Sequence, residues 1–96
     1  MMGLFWTPEA IQDREDIYDY IESDNPATAL ALDELFQEKA ARLLDHPGMG
    51  RAGREPGPRE FVVHDNYILV YDETADLVRV LRVLHAARQW PRSDGD

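Results

Sequence analysis

Twelve residues, Pro47 to Pro58, divide this chain into two parts with different hydrophobic periods. They include four glycines (48, 50, 53, 57) and three prolines (47, 56, 58), a density of breakers that predicts no regular element. Before them apolar residues recur at helical spacing; after them they come in short runs rich in Val, Leu and Tyr, the mark of strands. A helical part joined to a β part predicts an α+β fold. The segment also carries Arg51 and Arg54. A Gly-rich, Arg-bearing loop can present backbone N–H groups to a phosphate, but no Lys-Ser or Lys-Thr completes a P-loop, and the ordinary reading is a linker.

In the first part, Leu4-Phe5-Trp6 is a short apolar run that stops at Thr7-Pro8. Thr7 suits a helix N-cap and Pro8 the first helical position, where its missing N–H costs nothing. A helix from Pro8 to Glu22 follows, with Ala10, Ile17 and Ile21 on its buried side and Ile11 and Tyr18 beside them. Glu9, Asp13, Asp16 and Asp19 take the wet side. Asn25-Pro26 repeats the cap, and a second helix is expected to about Asp45, stopped by His46-Pro47. Its stripe is Ala29, Leu32, Leu35, Phe36, Lys39, Ala40 and Leu43, with Lys39 at the edge. So short a connection predicts an antiparallel hairpin.

In the second part, Phe61-Val62-Val63, Tyr67 to Tyr71 and Leu77 to Leu84 are separated by hairpin-length spacers, which predicts a meander of three antiparallel strands. Both faces of the last strand are largely apolar, marking it as interior. Strand parity puts Arg79 and Arg82 on opposite faces, so only one could serve a given site.

At 96 residues the chain is one small domain, expected over 1–92 with 93–96 as a disordered tail. Such a chain buries roughly 60 to 65% of its unfolded surface, so a partner covering apolar area would add to its stability. Cysteine is absent, which excludes a disulfide framework and Cys-ligated metals. His46, His64 and His85 have no ligand spacing, so neither metal nor cofactor is expected. No secretory leader or membrane span is visible, and a soluble, cytoplasmic protein is expected. The net charge of −9 argues against a general nucleic-acid binder. It is unevenly spread: residues 1–50 carry eleven acids against three bases, while residues 51–92 carry seven arginines against six acids.

The element order β-α-α-β-β-β and several strings resemble the RelE/ParE superfamily of toxins from type II toxin–antitoxin pairs, over nearly the whole chain. The strings are Asp16-Ile17-Tyr18-Asp19-Tyr20-Ile21, Pro58-Arg59-Glu60, Tyr67-Ile68-Leu69-Val70-Tyr71 and Val83-Leu84-His85-Ala86-Ala87-Arg88-Gln89-Trp90-Pro91. The last is similar to the His-x-Arg-Arg ending of the ParE and plasmid-stabilisation branch, with Ala87 in place of the first Arg. The resemblance implies an antiparallel sheet on a two-helix hairpin, and a growth-inhibiting toxin held in a hetero-oligomer by its antitoxin.

The resemblance leaves two modes of action. ParE-type members bind DNA gyrase and trap its cleaved-DNA complex without an active site; RelE-type members cleave mRNA on the ribosome. For a ribonuclease, His85 would move the proton and Arg88, Arg59 and Arg82 would stabilise charge on the phosphate. Ribonuclease members, however, commonly carry Arg immediately after the first Tyr of the Tyr-x-φ-φ-Tyr strand (φ apolar), where this chain has Ile68. That residue and the acidic total favour protein binding over an enzyme, with Tyr67, Tyr71, Arg82, Arg88 and Trp90 as target- or partner-binding candidates. A third possibility is a non-toxic member that only binds its antitoxin. Each candidate also has an ordinary explanation: a backbone hydrogen bond for His85, an ion pair with Glu60 or an acid on a helix for Arg88, core or edge packing for Trp6 and Trp90, and sheet packing with wet hydroxyls for Tyr67 and Tyr71.

Overall fold

The computed structural model describes residues 3–52 and 57–86. Strand β1 (Gly3–Trp6) leads into α1 (Pro8–Glu22) and α2 (Pro26–Arg42). A 3-10 turn (Pro47–Met49) and β2 (Arg51–Ala52) precede the meander β3 (Arg59–His64), β4 (Tyr67–Glu73) and β5 (Leu77–His85). Both caps form as the residues dictate. The Thr7 hydroxyl accepts from the Ala10 N–H at 3.1 Å and Asn25 Oδ1 accepts from the Thr28 N–H at 3.1 Å, each with Pro at the first helical position. Helix α2 ends at Arg42, short of Asp45. Leu43, Leu44 and Asp45 instead donate three residues back, to Ala40, Ala41 and Arg42, a tightened last turn ahead of the break that Pro47 imposes on His46. The buried stripe contains Ala29, Leu32, Phe36, Ala40 and Leu43, with Leu35 and Lys39 half-buried.

The helices cover the sheet face that carries Val63, Tyr67, Leu69, Val80 and Val83. The sheet order is β1-β5-β4-β3-β2, so β5 is interior, as its two apolar faces require. The sheet is mixed rather than wholly antiparallel. β1 pairs parallel with β5, from Gly3 opposite Leu77 to Trp6 opposite Val80, because the two helices form the long crossover that a parallel pair requires.

Two further expectations need correction. The Gly/Pro segment does contain regular structure, the 3-10 turn and β2, which pairs Arg51 with Glu60 and Ala52 with Arg59. It is held by Tyr71, whose hydroxyl accepts from the Gly50 N–H at 2.9 Å and donates to the Pro47 carbonyl at 2.6 Å. Gly50 is required for close approach: a Cβ there would lie 2.6 Å from the Tyr71 oxygen and 2.9 Å from the Glu60 carbonyl oxygen. The second correction concerns parity. Val70 pairs with Arg82 but Tyr71 pairs with Val80, so Leu81 is a bulged residue. Arg79 lies opposite Asp72 and Arg82 opposite Val70. Those partners are two residues apart on β4, and the register therefore puts both arginines on one face.

Candidate functional site

The β1 side of β5 is where the helical part and the sheet meet most closely. Pro8 begins α1, so β1 stops at Trp6 and the Thr7 N–H makes a last backbone bond to the Val80 carbonyl at 3.0 Å. Beyond it α1 supplies side chains where a neighbouring strand would have supplied backbone. The Thr7 hydroxyl donates to the Leu81 carbonyl at 2.9 Å. Asp13 Oδ2 accepts from the Val83 N–H at 2.9 Å and from Arg82 Nε at 2.7 Å, while Oδ1 accepts from Arg82 Nη2 at 2.9 Å. Asp13 therefore leaves the wet side of α1 assigned to it by periodicity; its side chain is 13% exposed and that of Arg82 36%. The hydrogen bonds to Asp13 raise the pKa of the Arg82 guanidinium further above its ordinary value, and its charge is spent on the carboxylate. Its neighbour Arg79 is likewise engaged, by Asp72 at 2.9 Å.

Further along β5, Tyr67 gathers the aromatic candidates. Its ring meets the edge of Phe36 at 5.4 Å, His85 at 5.2 Å and His64 at 5.9 Å between centroids. Burial, with a smaller contribution from Tyr20, pushes the Tyr67 hydroxyl up from its ordinary pKa, so it is neutral at physiological pH and no base. His85 is exposed at the end of β5; His64 accepts from the Asn66 N–H at 3.1 Å.

Arg59 is at the other end of the sheet. It pairs with Tyr71, whereas His85 pairs with Tyr67. The four intervening steps of strand amount to about 13 Å. Arg59 donates to the Gly50 carbonyl at 3.1 Å. Tyr71 is 0% exposed, and its hydroxyl is internal rather than wet. Burial raises its pKa, partly offset by the Gly50 hydrogen bond and by Arg59. The candidates thus fall into two groups, Tyr67 with His85 at one end and Arg59 with Tyr71 at the other, with Arg82, opposite Val70, between them. Arg88 and Trp90 lie outside the described residues. Glu60, the expected partner of Arg88, pairs with Arg51 at 3.4 Å. Among the described residues no three His, Asp or Glu side chains converge on a metal position.

Residues 4–90 match the family described as ParE toxin of type II toxin-antitoxin system, parDE. The chain belongs to this family. Among its relatives are the candidate toxin Y4kP of Sinorhizobium fredii, 36% identical across 91% of each chain, and the toxin RelE2 of Caulobacter vibrioides, 33% identical across 92% of this chain and 99% of that one. In structure this ParE-family chain is similar to the chromosomal ParDE toxin–antitoxin system of P. aeruginosa, with a TM-score of 0.80 and 26% identity over 88% of this chain and 96% of that one. It also shares its fold with a chain of the E. coli DinJ-YafQ complex, with a TM-score of 0.60 and 15% identity over 91% and 96% of the two chains. It is the toxin of a type II toxin–antitoxin module.

The side chain that reading by sequence missed is Asp13, which belongs to the stripe Ala10, Asp13, Ile17, Ile21. The helical spacing of those positions is the signal; the charge of Asp13 disguised it as surface.

Proposed function

We propose that this toxin arrests growth by binding a protein target, DNA gyrase, and trapping its cleaved-DNA complex, and that it is silent while a cognate antitoxin covers it. The observation that carries the reading is that the described arginines put forward for phosphate chemistry, Arg82 and Arg59, are both engaged elsewhere. Metal-free phosphodiester cleavage needs guanidinium or ammonium groups aimed at the phosphate beside the proton-transfer residue. Here the Arg82 guanidinium is chelated by Asp13, and Arg59 holds the Gly50 carbonyl at the far end of β4. Ile68, opposite Leu84, is apolar where a ribonuclease of this superfamily would commonly carry Arg. The acidic total also suits a protein target better than the anionic ribosome. The toxin unit is residues 1–92, acting in the cytoplasm as half of a plasmid-stabilisation module.

The test puts purified toxin with gyrase and supercoiled plasmid, and separately with a translating ribosome. Trapped, cleaved plasmid with intact mRNA is the expected result. Cut mRNA with gyrase unaffected overturns it in favour of a ribonuclease, and no effect in either assay together with no growth defect overturns it in favour of a non-toxic antitoxin binder.

A further inference from the structure

The outer faces of α1 and α2 flank an open groove of about 350 Å³ lined by Ile11, Arg14, Glu15, Tyr18, Asp19 and Asp33. Its charges are unequally satisfied. Arg14 is fully occupied: Nε and Nη2 donate to the two carboxylate oxygens of Asp33 at 2.9 Å each, Nη1 donates to Gln37 at 3.2 Å, and the guanidinium lies 4.4 Å over the Trp6 ring. That arrangement cancels Asp33, whereas Glu15 and Asp19, which also line the wall, form no ion pair among the described residues. Between and beside them are Ile11, 46% exposed, and Tyr18, half-buried, seven residues apart and so about 10.5 Å along the helix.

We propose that this groove receives a basic amphipathic helix of the antitoxin. Its apolar side chains, one every two turns, would enter beside Ile11 and Tyr18, and its Lys or Arg side chains would pair with Glu15 and Asp19. The inference rests on the reading of the chain as an antitoxin-controlled toxin and adds the place and chemistry of the contact. Charge selects the occupant. Residues 1–50 carry eleven acids against three bases, so a nucleic acid, an anionic lipid surface or a second copy of this acidic chain would meet like charge here. That volume holds a few side chains and not a helix's girth, so the occupant lies along the groove and inserts its anchors; the two-turn spacing of Ile11 and Tyr18 matches a helix laid beside α1.

The experiment uses the full chain and the protein encoded by the reading frame adjacent to its own gene. Affinity is measured by calorimetry at low and high salt for wild type, Glu15→Lys/Asp19→Lys and Glu15→Gln/Asp19→Gln, with thermal melts of each free toxin as a folding control. The charge reversal is expected to weaken binding by roughly tenfold or more, the neutral pair by less, and both to flatten the salt dependence. In cells, the reversed toxin should stay toxic and escape neutralisation. Wild-type binding with the reversed pair within twofold of it overturns the groove while leaving the toxin–antitoxin reading intact. Failure of the wild type to bind at all overturns the antitoxin-controlled reading and the groove with it.

Discussion

Tyr67 and Tyr71 stand on the same strand and the same face, four residues apart, yet the sheet uses them differently. Tyr71 is fully buried, and its hydroxyl ties the Gly/Pro segment to the sheet through Gly50 and Pro47. Tyr67 contributes its ring, wedged among Phe36, His64 and His85, and among the described residues no buried side-chain polar atom lacks a hydrogen-bond partner. One end of the strand is locked by polar bonds. The other is an aromatic cluster in which Phe36 and Tyr67 are buried and His64 and His85 are exposed. Residue type and strand position alone do not separate the two roles; what lies across from each tyrosine does.

The largest expected effect is at the locked end. Gly50→Ala forces a methyl group against the Tyr71 hydroxyl and the Glu60 carbonyl and should cost about 3 kcal/mol. At roughly 4 to 8 °C per kcal/mol for a domain this size, that lowers the melting midpoint by more than about 10 °C. A midpoint within 2 or 3 °C of wild type would show that the segment is free to move away.

Tyr71→Phe leaves the Gly50 N–H and Pro47 carbonyl without their partner and should cost about 1–3 kcal/mol in denaturant titrations. The same change at Tyr67 should cost less than about 0.5 kcal/mol. Equal losses at the two positions would erase the distinction between the ends. The pH dependence sharpens it further. Both hydroxyls have raised pKa values, for which burial is the leading cause, so the folded state holds their protons longer than the unfolded chain. Their contribution is fully present below the unfolded value of about 10 and is lost as pH rises from there through the folded value. Each Tyr→Phe variant should remove its own share of that alkaline loss.

Asp13→Ala strands Arg82 and frees the Val83 N–H; with Arg82 partly solvated, about 1–2 kcal/mol is expected. Asp13→Asn keeps an acceptor for Val83 and should lose about half as much. Equal losses for the two variants would mean that the strand-edge hydrogen bond contributes nothing beyond the ion pair.

The smallest effect is expected at the open end. His85→Ala should change stability by no more than about 0.5 kcal/mol and leave growth inhibition in place. Loss of toxicity with an unchanged melt would assign His85 a direct role and favour the ribonuclease.

What was legible in the residues was local. Thr7-Pro8 and Asn25-Pro26 start their helices as their capping chemistry requires, Lys39 lies at the edge of its stripe, and the strand runs form the expected meander. The strings around Tyr67 and His85 pointed to the family that the match over residues 4–90 establishes. What escaped depends on distant partners. Asp13 was assigned to solvent because helical periodicity sorts by polarity, and its partner Arg82 is 69 positions away. The two arginines were placed on opposite faces because parity counts residues and cannot see that Leu81 is bulged out of register.

By itself, then, the sequence determined the two helices, the first strand, the three-strand meander and the family, since caps, breakers and periodicity act within a few residues of the chain. Only the tertiary structure decided which charges are spent, which tyrosine is a lock and which arginines share a face. Those outcomes follow from cross-strand register and from contacts between the two halves of the chain, and neither exists until the halves have packed together.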